Sequence, residues 1–196
     1  MIALPGILPP EYHRCIMAVQ KAGAVKKTAS RSAAKKIRDN AAQSMNAANQ
    51  LDEFLAKFTP EVTETSKQAL RKMRTRLPGA IELIYDNYNA LAIGFSPSER
   101  ASDAIFSIAL YPRWVSLFFL INGAKLRDPE GRLQGSGKQA RHIVLETAGM
   151  LDDHAVQELM AQALELSPKK IDASQPRRLI VKSVSARQRP RRPSDG

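Results

Sequence analysis

Five side chains between positions 125 and 142 have the types and spacing to hold an anion. Lys125, Arg127, Lys138, Arg141 and His142 lie in or beside the glycine-rich stretch GAKLRDPEGRLQGSGKQARH, which starts at Gly123. Glycines let backbone N–H groups approach an anion closely, and Lys and Arg supply charge. Gly135-Ser136-Gly137-Lys138 is the fragment nearest to a phosphate loop. A Walker loop would need glycine at position 132 and Ser or Thr at 139, where this chain has Arg and Gln. The next element also reads as a strand, so no helix N-terminus faces the loop. Nucleotide hydrolysis is therefore not expected, and a softer site for phosphate or a carboxylate is. The competing account is structural: the glycines serve turns that need positive φ, and Asp128 and Glu130 pair with neighbouring bases.

Other candidate chemistry is thinner. Arg141 and His142 are adjacent at the start of a strand, so their side chains point to opposite faces. A metal site or general base at His142 would need partners, and the remaining histidines are His13, near the N-terminus, and His154, in a solvated first helical turn. Cys15 is the only cysteine, which excludes an intramolecular disulfide and a cysteine-based metal cluster. Tyr85, Asp86, Tyr88 and Asn89 form a polar, aromatic patch where helix gives way to sheet and could line a small pocket. Trp114 opens a dense apolar run and is expected to anchor the sheet.

These residues must be positioned by a mixture of helices and strands. Leu51, Phe54, Leu55 and Phe58 have helical spacing, with a helix extending back toward Asn40. Thr59-Pro60-Glu61 reads as an N-cap, a first-turn proline and a dipole-matched acid, and Pro78-Gly79 stops the helix that follows. Ala80 to Tyr85 reads as a short apolar turn. Strands are predicted at 90–95, 104–110, 114–121, 141–146 and 179–184, and a helix at 151–166 capped by Asp152 or Asp153. Tyr111-Pro112-Arg113 makes the second and third strands antiparallel neighbours. The expected class is α+β, an antiparallel sheet of about five strands packed against N-terminal helices and one C-terminal helix.

The net charge of +11 is unevenly distributed. Residues 1–50 carry eight Lys/Arg against two acids, 51–165 thirteen against fifteen, and 166–196 nine against two. Three segments follow: a basic extension over 1–50, unstructured at least from Gln20 to Lys36, a domain over 51–186, and a basic disordered tail over 187–196. In the ends, Lys26, Lys27, Lys35, Lys36, Arg189, Arg191 and Arg192 could touch phosphates without reading sequence. Met1, Met17 and Met45 are alternative starts. No apolar run reaches the ~20 residues of a membrane-spanning helix, and the expected location is the cytoplasm.

Pro78-Gly79-Ala80, the strand WVSLFFL, and Leu126, Asp128, Pro129, Leu133, Gly135, Gly137, Lys138, Arg141 and His142 at their fixed spacing resemble the YdhG-like family, domain of unknown function 1801. The resemblance covers residues 51–165. It implies a compact α+β fold with an antiparallel sheet backed by helices, comparable in shape with frataxin-like iron chaperones, and implies no reaction. Where the family has a Tyr-Gly-Met-Pro-like segment this chain reads Tyr85-Asp86-Asn87-Tyr88, so no pocket role is carried over. The expectation is a binding module for a small anionic ligand or a protein partner, without a cofactor. The alternatives are non-specific nucleic-acid association through the basic ends and, third, a metal chaperone.

Overall fold

The computed structural model describes the backbone of residues 16–193 and the side chains from residue 35. Cys15, His13, Met1 and the side chains of Lys26 and Lys27 lie outside the described residues. The chain divides at Ala42 into two compact units. The first contributes the N-terminal part of helix α1 (Ile16–Leu55), and Gln20 to Lys36, expected to be unstructured, is helical. Ala and Lys dominate that stretch and are strong helix formers, so intrinsic propensity suffices where large apolar residues are lacking.

In the second unit, α1 reaches its first buried positions at Ala47, Leu51, Phe54 and Leu55. Thr59 caps α2 (Pro60–Arg76) as expected, its hydroxyl accepting from Val62 N at 3.4 Å. Gly79 follows at φ +78°, with Asp172 O only 1.9 Å from where a Cβ would sit, so both conformation and space require glycine.

The sheet has six strands: β1 (Ile81–Asp86), β2 (Leu91–Ser96), β3 (Phe106–Leu110), β4 (Val115–Phe119), β5 (Arg141–Leu145) and β6 (Arg178–Val184). Their order is β5-β4-β3-β2-β1-β6, antiparallel throughout except that β6 runs parallel to β1. The sheet is thus mixed and has six strands, where about five, all antiparallel, were expected. The additional strand is β1, which the sequence presented as a turn.

Register places Ile84, Ile93, Ile108, Leu117 and Ile143 in one rung, and Glu82, Phe95, Phe106, Phe119 and Arg141 in another. Both rungs face the helices, with Phe58, Leu70 and Met73 in the same core. Each fully buried aromatic or aliphatic side chain there contributes about 1.5–3 kcal/mol. The opposite face carries small residues, Ala92, Gly94, Ser107, Ala109 and Ser116, with Tyr85 and Phe118 among them.

The C-terminal helix α3 (His154–Leu166) forms, preceded by a 3-10 turn at Ala148–Asp152. Neither acid caps it through its side chain. Asp153 pairs with Arg132 at 3.1 Å, and Asp152 pairs with Lys72 and Arg76 of α2. Charge partners from other elements outcompete the local cap. Those two bases hold the Asp152 carboxyl below its usual range.

Candidate functional site

The glycine-rich loop does not gather its five candidate residues at one place. Lys125 and Arg127 line a cleft of about 650 Å³ against α3, together with Glu158, Gln162 and Glu165. Two acids of α3 accompany the two bases there, and Gln162 bridges to both backbone groups of Arg127. The Arg141 guanidinium turns back into its own loop, donating to Gly137 O and Ala140 O. His142 lies on the other face of the sheet, its ring stacked on Phe118 at 5.0 Å. Lys138 is exposed. The loop's acids act locally: Asp128 accepts from Leu133 N at 2.7 Å, and Glu130 pairs with Arg132 at 2.9 Å. Gly131 and Gly135 have φ of +64° and +102°, so two of the glycines serve turn geometry.

Tyr85, Asp86 and Tyr88 do not share a pocket either. Alternation along β1 sends Tyr85 to the face away from the helices. Its hydroxyl is shut off from solvent, finds no partner among the described residues, and titrates above the usual range because of that burial. Tyr88 is exposed at the β1–β2 turn.

Asp86 is instead the centre of a buried ionic cluster. Its side chain is 1% exposed and accepts from Lys57 Nζ at 3.0 Å, Gln188 Nε2 at 2.6 Å and the Arg191 guanidinium at 2.7 Å. Arg191, 3% exposed in its side chain, also donates to Asn87 O and lies 5.5 Å from the centroid of the Phe58 ring. Arg192 donates to Phe58 O and Ala56 O at 3.1 and 3.2 Å, beside the last turn of α1, where the helix dipole favours a cation. Backbone bonds from Ser185 N to Asp86 O and from Arg189 N to Tyr88 O complete the attachment.

Residues 187–193 therefore form a strap across the end of β1, where a disordered tail was expected. Arg191, assigned from sequence to phosphate contact, is closed to phosphate. At the other end of β1, Glu82 is likewise buried and takes a two-pronged bond from Arg74 and a third, at 2.6 Å, from Arg177. The basic residues flanking β6 thus neutralise both acids that β1 turns toward the core. Lys169 and Arg178 pair with Asp103 and Glu99, so much of the C-terminal charge is compensated within the fold.

The strap also walls a second cleft, of about 620 Å³. Its lining is Asn89 from the β1–β2 turn, Tyr111 to Trp114 from the β3–β4 turn, and Arg189, Pro190, Arg192 and Pro193 from the strap. Tyr111 N donates to Trp114 O at 2.9 Å, closing a tight turn over Pro112 and Arg113. That turn puts the two rings side by side, stacked at 5.1 Å with 23° between planes. Trp114 is 44% exposed, so it does not anchor the sheet as its apolar neighbours suggested. Arg113 and Arg189 pair with no carboxylate among the described residues. Arg192 donates to neutral carbonyls and likewise pairs with no carboxylate among the described residues. Among the described residues, no acid lines this cleft.

Of the candidates from the basic ends, Lys35 and Lys36 are exposed on α1, and Arg189 and Arg192 lie in the strap cleft. Among the described residues no three His, Cys, Asp or Glu side chains converge as metal ligands, and no helix is long and apolar enough to cross a membrane. Asn89, which the sequence offered as part of a pocket-lining patch, does line this cleft, whereas sequence reasoning missed Arg113 and Tyr111. The available signal was a two-residue turn flanked by Tyr and Trp, which places both rings on one face. Compared with protein-family models, curated proteins and solved structures, the chain matches none.

Proposed function

We propose that this chain is a binding module of the YdhG-like type for a small anionic ligand, and that the ligand sits in the strap cleft rather than in the glycine-rich loop. The observation that carries this reading is the lining: three arginines and two stacked aromatic rings, with no acid among the described residues, around about 620 Å³. A concave site with a few convergent polar groups among apolar walls is the usual form of a ligand pocket. The cleft at α3 has comparable volume, but Glu158 and Glu165 offset its two cations. No reaction is assigned, because among the described residues no nucleophile with an adjacent base lines either cleft.

Thermal unfolding in the presence of pyrophosphate tests the proposal. A ligand bound only by the folded state stabilises it by RT ln(1 + [L]/Kd), about 2.7 kcal/mol at a hundredfold excess over Kd. The expected result is a rise in Tm that Arg113→Ala or Arg189→Ala abolishes and Lys125→Ala or Lys138→Ala leaves intact. No rise at millimolar pyrophosphate, or a rise lost only in the loop variants, overturns it.

A further inference from the structure

Arginines alone would serve any anion, but two further features narrow the ligand. One face of the Trp114 indole is covered by Tyr111, and the residue is still 44% exposed, so its remaining surface is presented outward within the cleft. Tyr111 holds the ring in place, which lowers the entropy lost when a flat group stacks on it. Asn89 adds a side-chain amide at the rim, able both to donate and to accept hydrogen bonds. Inorganic phosphate would leave the ring and the amide unused.

We infer that the ligand class of this cleft is a nucleoside phosphate, its base stacked on Trp114 and its phosphate held by Arg113, Arg189 and Arg192. This rests on the anion-binding reading above and deepens it. Base stacking on an aromatic side chain is tolerant of base identity, and the arginines meet the phosphate without reading sequence. A free nucleotide and one residue of a single strand present the same chemistry. Asn89 is placed to favour one base edge over another. The neighbouring Pro112, Pro190 and Pro193 stiffen the turn and strap, so the two walls are held apart before a ligand arrives.

Trp114 is the only tryptophan in the chain, so intrinsic fluorescence excited at the red edge of its absorption reports on this cleft alone. Full-length protein is titrated with AMP, UMP, ribose 5-phosphate, inorganic phosphate and an oligothymidylate or oligouridylate of eight residues. Saturable quenching by the mononucleotides or the oligomers, at affinities at least tenfold above that of ribose 5-phosphate, is the expected outcome. A mononucleotide as effective as an oligomer residue identifies a free nucleotide as the source, and oligomers alone identify a strand. Arg113→Ala, an exposed turn position, is expected to weaken binding while leaving the melting curve unchanged. Trp114→Ala, read by equilibrium dialysis because it removes the fluorophore, is expected to weaken binding roughly tenfold to a hundredfold, the range for loss of one base stack. If ribose 5-phosphate or phosphate binds as well as the nucleotides, base stacking is overturned while anion binding stands. Failure of every ligand overturns both, as does binding that Arg113→Ala and Arg189→Ala leave unchanged.

Discussion

Truncating Arg191 should destabilise the domain as a core substitution does, although it lies five residues from the C-terminus in a segment rich in charge and proline. Asp86 is 1% exposed and receives three side-chain donors, of which Arg191 is the buried cation. Removing one partner of a buried ion pair costs roughly 3–5 kcal/mol, because the other charge is left uncompensated in a medium that solvates it poorly. Lys57 and Gln188 remain on Asp86, so the lower end applies, about 3 kcal/mol, including the loss of the guanidinium against the Phe58 ring. For a unit of this size each kcal/mol moves Tm by roughly 2–4 °C, which gives a fall of roughly 6–12 °C for Arg191→Ala. Urea unfolding followed by far-UV circular dichroism measures it, with Arg187→Ala as the exposed control, expected within about 0.5 kcal/mol of the parent. Replacing both partners, Asp86→Leu with Arg191→Met, should recover much of the loss, since apolar groups of similar volume often replace a buried pair without penalty. If Arg191→Ala unfolds at the same urea concentration as Arg187→Ala, residues 187–193 are a tail and the strap is wrong.

Three further outcomes follow from single contacts. Tyr85→Phe removes a buried hydroxyl with no partner among the described residues, so it is expected to be neutral or to stabilise by about 1 kcal/mol at pH 7, measured by urea unfolding. The same variant should flatten the alkaline limb. The folded chain holds the Tyr85 proton more tightly than the unfolded chain, so stability present below about pH 10 is lost as pH rises toward the elevated folded value. Asp152→Asn should be less stable than the parent at pH 7, with the gap closing as pH falls below about 4. The depressed carboxyl contributes above its unfolded value and stops contributing as it is protonated in the fold; thermal melts from pH 2 to 7 would show a constant gap if the pairs with Lys72 and Arg76 contribute nothing. Gly79→Ala should cost more than about 2 kcal/mol, from the positive φ and from the overlap with Asp172 O, and a melt matching the parent would refute the packing of 167–177 against that turn.

Much of the scaffold was legible because its signals are local. The Thr59-Pro60 cap, the Pro78-Gly79 stop, the β3–β4 turn and five of the six strands depend on neighbours within a few positions, and the structure has them all. β1 was not legible. Ala80 to Tyr85 read as a short apolar turn because Glu82 and Asp86 break the apolar pattern of IELIYD, and what lets both acids face the core of a strand includes charge compensation from Arg177 and Arg191, 95 and 105 residues away. The parallel partner β6 is equally remote. The same blindness turned the strap into a tail, since local charge density says nothing about whether a cation has a distant buried partner. Trp114 was misplaced for a subtler reason: its apolar neighbours Val115, Leu117 and Phe119 alternate inward, and Trp114 falls on the other parity. The glycine-rich loop drew attention because its residue types suit anions, yet Arg141 and His142 leave it on opposite faces, and Lys125 and Arg127 are drawn toward α3.

The strap ties stability to the cleft. Arg191 points into the core while Arg189 and Arg192, one or two positions away, line the outside, so the same short segment supplies a buried ion pair and half a binding wall. Asn89 and the β3–β4 turn supply the other half. The two halves meet because β6 returns parallel to β1 and delivers the strap at the end of the sheet where both turns lie. A ligand gripping both walls binds only the strapped form, and its apparent affinity falls in proportion to the fraction of molecules in which the strap is closed. Loosening the strap with Arg191→Ala must then weaken binding even though Arg191 touches no ligand, whereas Arg113→Ala weakens it with the strap and the stability intact. The two variants separate the cleft as a chemical site from the strap as the element that holds it together.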